Sequence, residues 1–243
     1  MKMFKVRQLN LDNNFGFQRV EGQDIGVDKH GNLAQGYQHH DALWWKNNDL
    51  HLSKDKTVAH LDLDGTVDYF DKTFRNLSAN IMKYIAPKTV LDLGCGCGQL
   101  TSMLRAHGVN TVTVDANKDT INSPYIDENH FIARTDKPLS FVDENNNSVI
   151  FDLVISLEHF EHIPQDTMDR LITNVSKHTK NGSYFIFTAA GWAYDSDKSH
   201  IHCNVQSEAS WKEYVTKYKF EIIQNLFPIG RGDNTAEIFS RSL

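Results

Sequence analysis

Residues 89–115 carry, in a fixed order, an apolar strand, a glycine-rich turn, a helix and a second apolar strand ending in an acid. Few folds accept that order. Thr89-Val90-Leu91-Asp92-Leu93 reads as the strand and Gly94-Cys95-Gly96-Cys97-Gly98 as the turn. Gln99 to His107 reads as the helix, stopped by Gly108, and Thr111-Val112-Thr113-Val114-Asp115 as the second strand. In an open α/β sheet, ligands bind at the carboxyl ends of strands, where a glycine turn lets the backbone come close. Side chains there would block the approach, and glycine also tolerates positive φ. The G-x-G-x-x-G dinucleotide fingerprint is not met: the third glycine, Gly98, comes one residue early and Gln99 stands where that glycine belongs. An acid about twenty residues past such a turn accepts hydrogen bonds from ribose hydroxyls, which is the place of Asp115. The pattern therefore predicts a ribose-bearing ligand with no need for a pyrophosphate. A plain turn followed by a solvated strand end is the alternative, and the complete series of elements argues against it.

The rest of the chain extends the alternation. Phe70, Phe74, Leu77, Ile81, Met82 and Ile85 recur at helical spacing and predict an amphipathic helix over Asp68 to Ile85, ahead of Pro87. Strands follow at His130–Arg134, at Phe151–Leu157, whose continuous apolar run suits burial on both faces, and at Ser183–Thr188. Helices are expected from Pro164 to His178 and over Glu208–Tyr218, and Asp143–Ser148 reads as a turn. Two last strands, Phe220–Leu226 and Ala236–Ser240, have a short link and are expected to pair antiparallel. Strands alternating with helices mean βαβ units and a mostly parallel sheet. Residues 1–67 lack this periodicity and read as an irregular arm with a few short strands, packed on the domain of residues 68–243 through aromatics such as Trp44 and Trp45.

Composition narrows the class. Of 243 residues, 40% are hydrophobic and 23% charged, an ordinary globular balance. No stretch approaches the roughly 20 apolar residues of a membrane helix, and the start of the chain shows no signal peptide. Three cysteines are no disulfide framework, so a cytoplasmic setting is expected. A net charge of −6 argues against a chain that wraps nucleic acid and favours a small-molecule partner.

Val90-Leu91-Asp92-Leu93-Gly94-Cys95-Gly96-Cys97-Gly98 resembles the first motif of class I S-adenosylmethionine (SAM) dependent methyltransferases. Phe151–Ser156, followed by Glu158 and Glu161-His162-Ile163-Pro164, resembles their fourth-strand region. The resemblance covers about residue 68 to the end. It implies a Rossmann-like seven-stranded sheet with helices on both faces and an antiparallel edge hairpin. It also implies SAM as cofactor. Asp92 and Gly94 would lie near its methionine part, Gly96 and Gly98 near the sugar, Asp115 on the ribose hydroxyls and Asp136 at the adenine amino group. Ala116 or Asn117 would flank the adenine, and Cys95, Ser156 and Glu158 complete the expected cofactor set.

Glu158-His159-Phe160-Glu161-His162 is the most chemically loaded stretch. If it opens a helix, Glu158, Glu161 and His162 share one face. With His200 or His202 from the loop after the fifth strand, that face offers a divalent-cation set. The spacing resembles the metal site of small-RNA 3′-terminal ribose methyltransferases, but Ser199-His200-Ile201-His202-Cys203 does not reproduce that family's second histidine motif. No metal is expected, and Glu158, Glu161, His162 and His202 remain the alternative ligand set. His162, His200 and His202 are the candidates for taking the acceptor's proton. Trp211 lies where family members often place acceptor-binding residues.

Three other features are set aside. Asp62-Leu63-Asp64-Gly65-Thr66 resembles the nucleophile motif of haloacid-dehalogenase-like phosphatases, yet the strands around it carry SAM-type motifs instead. Cys95 and Cys97 lack further zinc ligands at suitable spacing and read as small residues filling a tight turn. His39-His40 reads as surface. The expectation is thus a methyltransferase acting on oxygen or nitrogen of a sugar, lipid precursor or metabolite. Metal-assisted methylation of an RNA end and a non-catalytic SAM-binding module are its rivals.

Overall fold

A computed structural model describes residues 6–8, 66–116, 120–121, 123, 125–191, 202–230 and 234–243. The expectations for most of the arm, including Trp44, Trp45, His39, His40, Asp62 and Asp64, and those for Asn117 and His200, lie outside these residues.

Among the described residues there are nine strands and four α-helices, numbered in chain order. The strands are β1 (Arg7–Gln8), β2 (Thr89–Leu93), β3 (Asn110–Asp115), β4 (His130–Ile132), β5 (Phe141–Val142), β6 (Leu153–Ser156), β7 (Tyr184–Ala190), β8 (Phe220–Ile222) and β9 (Thr235–Ser242). The helices are α1 (Thr66–Tyr84), α2 (Gln99–Ala106), α3 (Met168–Lys177) and α4 (Glu208–Thr216). Seven strands form one sheet in the order β4-β3-β2-β6-β7-β9-β8. The pairs from β4 to β7 are parallel, while β9 runs antiparallel to both β7 and β8. The chain thus forms the mostly parallel sheet with a reversed C-terminal hairpin that its patterning predicts.

Helices cover both faces. Leu77 and Ile81 of α1 and Leu100 and Leu104 of α2 pack with Val90, Leu153, Ile155 and Ile186 on one face. Met168, Leu171, Ile172 and Val175 of α3 and Trp211 and Val215 of α4 pack with Leu91, Val112, Val154 and Phe185 on the other. Successive strand side chains point to opposite faces. A parallel strand covered on both sides therefore reads as an unbroken apolar run.

Local chemistry sets the boundaries that differ from the sequence reading. The helix expected from Pro164 begins only at Met168, because Gln165–Thr167 is a 3₁₀ turn. Both the amide and the hydroxyl of Thr167 donate to the Pro164 carbonyl, at 2.9 and 3.0 Å, which tightens that turn. The fourth strand of the parallel series is shorter than Phe151–Leu157. The Phe151 amide is taken by the His178 carbonyl, and beyond Ser156 the chain turns left-handed at Glu158, φ 49°. Strands β1 and β5 form a separate small antiparallel sheet. Val6, buried in the main core, donates its amide to Asn129 Oδ1 at 3.2 Å and ties this part of the N-terminal segment to the domain.

Candidate cofactor and acceptor site

The glycine turn stands at the carboxyl end of β2. Gly94, Gly96 and Gly98 adopt φ of 74°, 54° and 77°, which side chains resist. Space also matters at Gly94 and Gly98. A Cβ at Gly98 would lie 2.6 Å from Ile126 Cδ1, and one at Gly94 would lie 2.4 Å from His159 Cγ. A Cβ at Gly96 would meet nothing within 4 Å, so the middle of the turn faces open space, as a cradle for a ligand requires. The amides of Gly94 and Cys95 both reach the Val114 carbonyl, at 2.8 and 3.1 Å, and this bends the turn over the end of β3. There the Gly96 amide donates to Asp115 Oδ2 at 2.9 Å.

The acids at this edge are buried. Asp92 is 4% exposed, and burial, with the nearby Asp115 carboxylate adding to it, pushes its pKa up to about 8, partly opposed by Arg105. Arg105 also fastens the next loop. It donates to Thr111 Oγ1 and to the Tyr125 carbonyl and pairs with Asp127 at 3.3 Å. Cys95 is a neutral thiol, its pKa raised by burial and by the charges of Asp115 and Asp92. Its half-buried side chain sits within the turn. Its Sγ lies 3.8 Å from Nδ1 of His130. Thr113 and Thr120 hold the His130 ring at 2.9 Å on either side, and burial lowers its pKa to about 4. Ala116, after Asp115, is half-buried against the core.

Two members of the expected cofactor set make structural bonds here. Asp136 is fully buried, and Arg134 grips both its carboxylate oxygens at 2.9 and 2.8 Å. Such a bidentate, charge-assisted pair is strong and fixes the Asp136 carboxylate in place. Ser156, also fully buried, donates its hydroxyl to the Leu93 carbonyl at 2.8 Å and so locks β6 to β2.

The loop after β6 carries the acid–base residues, but not on a helix. Phe160–His162 is a single 3₁₀ turn, and Glu158 lies before it with its amide clamped on Thr188 Oγ1 at 2.9 Å and the Thr188 carbonyl at 3.2 Å. The helical grouping of Glu158 with Glu161 and His162 is therefore replaced by a different one. Ligand atoms of Glu161, His162 and His202 all lie within 4.8 Å of one another. The Asn204 amide donates to the Glu161 carbonyl at 3.0 Å and brings the 202–204 segment to this turn, where the His162 and His202 rings meet at 4.9 Å. Glu161 is fully buried and both imidazoles are half-buried. Trp211 departs from its expected place. It is fully buried, edge-on to Phe160 and Phe187 at 5.6 and 6.1 Å, so its ring fills the core beneath the turn.

His159 and His130 are further residues of this edge. Neither has a periodicity or motif position that marks it. Their roles rest on contacts to Gly94, Thr135, Thr113 and Thr120 that link separate loops.

A parallel sheet with a reversed last strand and a glycine turn and acid at its carboxyl edge defines a Rossmann-like, nucleoside-type binding fold. The chain belongs to the methyltransferase-domain family, whose pattern matches residues 68–225. It is 30% identical over 115 residues to the ubiquinone biosynthesis O-methyltransferase of Rickettsia akari, covering 46% of this chain and 44% of that one. It is 27% identical over 176 residues to a probable SAM-dependent methyltransferase, TehB, of Haemophilus influenzae, covering 68% of this chain and 60% of that one. The chain thus spans only about half the length of these curated relatives. Magnesium protoporphyrin IX methyltransferase of Synechocystis, solved with bound SAM, shares the fold at a TM-score of 0.55 and 12% identity, over 84% of this chain and 94% of that one.

Proposed function

We propose that this chain is a SAM-dependent methyltransferase acting on an oxygen or nitrogen of a small-molecule acceptor. The observation that carries the reading is the glycine turn of a methyltransferase-family domain, open at Gly96 and joined to the buried acid Asp115. Asp115 is suited to hold the ribose hydroxyls, Asp92 and Gly94 the methionine part and Ala116 the adenine. Glu158 stands at the junction of the cofactor and acceptor sides.

SAM supplies a methyl group on a sulfonium. An acceptor lone pair forms the new bond to the methyl carbon as the carbon–sulfur bond breaks, leaving S-adenosylhomocysteine. Alignment and desolvation are the main demands of such a displacement. The acceptor's proton goes to His162 or His202, whose rings flank the turn after β6. His200 and a lid from residues 1–67 belong to the same proposal. Three free cysteines and a net charge of −6 support a cytoplasmic enzyme of small molecules.

Calorimetric titration of SAM into the wild type and Asp115→Ala, with and without EDTA, tests this. Binding that survives EDTA and fails in the variant is expected. A wild type that binds no SAM overturns the reading.

The cluster of Glu161, His162 and His202 favours a second reading, in which a divalent cation activates an acceptor hydroxyl. One carboxylate and two imidazoles suit a borderline cation such as manganese or zinc. The cation would lower the hydroxyl's pKa as a Lewis acid. Wild type would then bind manganese in a calorimeter and His202→Ala would not. Equal binding by the two, or none by either, removes this reading.

A further inference from the structure

We infer that His159 is a cofactor-positioning residue. Its imidazole takes the volume a side chain at position 94 would need and braces the glycine turn in the shape that receives the cofactor. The inference rests on the cofactor reading above.

Gly94 lies at φ 74°, and a Cβ built there would stand 2.4 Å from Cγ and 2.5 Å from Nδ1 of His159. The ring therefore lies directly against the backbone of the turn. Its Nε2 is 2.7 Å from Thr135 Oγ1. Thr135 is itself anchored. It is buried, and its carbonyl accepts from Asn174 Nδ2 of α3 at 2.8 Å, while Asn174 Oδ1 accepts from the Leu139 amide at 3.0 Å. From the other side the Gly94 amide is held by the Val114 carbonyl at 2.8 Å.

The turn is thus gripped between β3 and a bracing line that runs from α3 through Thr135 and His159. His159 is placed in turn by its own chain. The preceding residue, Glu158, is left-handed with its amide on Thr188, and the His159 carbonyl accepts from the His162 amide at 3.0 Å. One ring so connects the glycine turn, the crossover after β4 and the turn carrying Glu161 and His162.

A turn held in its binding shape before the ligand arrives saves the ordering cost at binding. His159 is half-buried, so truncating it loosens the turn more than it unmakes the core. The effect belongs on affinity, and a variant series separates it from stability.

The test is calorimetric titration of SAM into wild type, His159→Ala, His159→Phe, Thr135→Val, Gly94→Ala and the double variant Gly94→Ala/His159→Ala, with the ligand-free melting midpoint of each. His159→Ala is expected to weaken SAM binding about tenfold with a midpoint close to wild type. His159→Phe keeps the ring, loses the bond to Thr135 and recovers part of the affinity. Thr135→Val, which leaves the ring in place, shows a smaller loss. The double variant loses less than the two single losses combined, because the collision at position 94 is gone. Unchanged affinity in both His159→Ala and Thr135→Val overturns the inference. So does a loss that tracks the melting midpoint and is not recovered by Phe. A wild type that binds no SAM overturns the cofactor reading and this inference together. A wild type that binds with unaltered variants overturns this inference alone.

Discussion

The Gly96 amide donates to Asp115 Oδ2 at 2.9 Å, so the acid at the end of β3 closes the glycine turn that ends β2. One carboxylate shapes the turn and, in the function proposed above, also holds the ribose hydroxyls. A hydrogen bond to a charged group contributes about 1.5–3 kcal/mol. Asp115→Asn keeps an acceptor for the amide but loses the charge. It should weaken SAM by roughly tenfold, while Asp115→Ala weakens it further. Calorimetry orders the two.

Asp92 gives a pH dependence of defined sign. Its pKa of about 8 in the folded chain stands well above the unfolded value of about 3.9. The folded chain therefore keeps a proton on Asp92 that the unfolded chain has lost. The associated stability is full below about pH 4 and is lost as pH rises through about 8. Asp92→Asn should flatten the fall in melting midpoint between about pH 4 and 8. The sulfonium cation favours the ionised carboxylate, so SAM binding near neutral pH should release protons in wild type and fewer in the variant. Titrations in buffers of different ionisation enthalpy read this directly.

His178 has the opposite sign. It is fully buried, with Nδ1–H donating to the Val149 carbonyl at 2.8 Å and Nε2 accepting from the Phe141 amide at 3.4 Å. Burial holds its pKa below the ordinary value. The unfolded chain takes up this proton first, so stability is full above about pH 6.5 and is lost as pH falls below it. His130, lowered to about 4, acts in the same direction. His178→Ala leaves two buried backbone groups without their partner and should cost on the order of 3 kcal/mol. Urea denaturation at about pH 7 and pH 5 should show both that cost and a shallower pH slope in the variant.

Glu158 sits at φ 49°, a left-handed conformation that costs a non-glycine residue roughly 1–2 kcal/mol. Glu158→Gly should raise the stability of the ligand-free chain by up to about 1 kcal/mol. On the proposed cofactor role of Glu158, the same change should weaken SAM binding, because it removes that carboxylate. Opposite movements of urea midpoint and SAM affinity are the expected result.

Much of the fold was legible because its signals are local. Thr89–Leu93 is the strand that the sequence patterning predicts, and α2 ends one residue early. The alternation of apolar runs with helical spacing predicts the parallel order, and the short link near 227–235 predicts the closing hairpin. The boundaries differ where local hydrogen bonds compete with the helix or strand. The Thr167 hydroxyl and amide delay α3, and the demands on Phe151 and Glu158 shorten β6. Asp92 and the glycine turn stand at the carboxyl end of β2 and Asp115 at that of β3, as the patterning predicts. Trp211, by contrast, reads as an acceptor residue from its position in the chain and proves to be core, because Phe160 and Phe187 from separate elements pack on its ring.

The sequence by itself determined that residues 89–115 form a strand, an open glycine turn, a helix and a strand ending in an acid. Those outcomes depend on periodicity and on the φ range of glycine, which neighbours along the chain decide. Only the tertiary structure decided that His202 joins Glu161 and His162, that His159 fills the space of Gly94, that Arg134 occupies Asp136 and that Asp92 carries a proton near neutral pH. Each of these depends on a through-space distance or on exclusion of water. The sheet fixes such distances when it sets the ends of distant strands side by side.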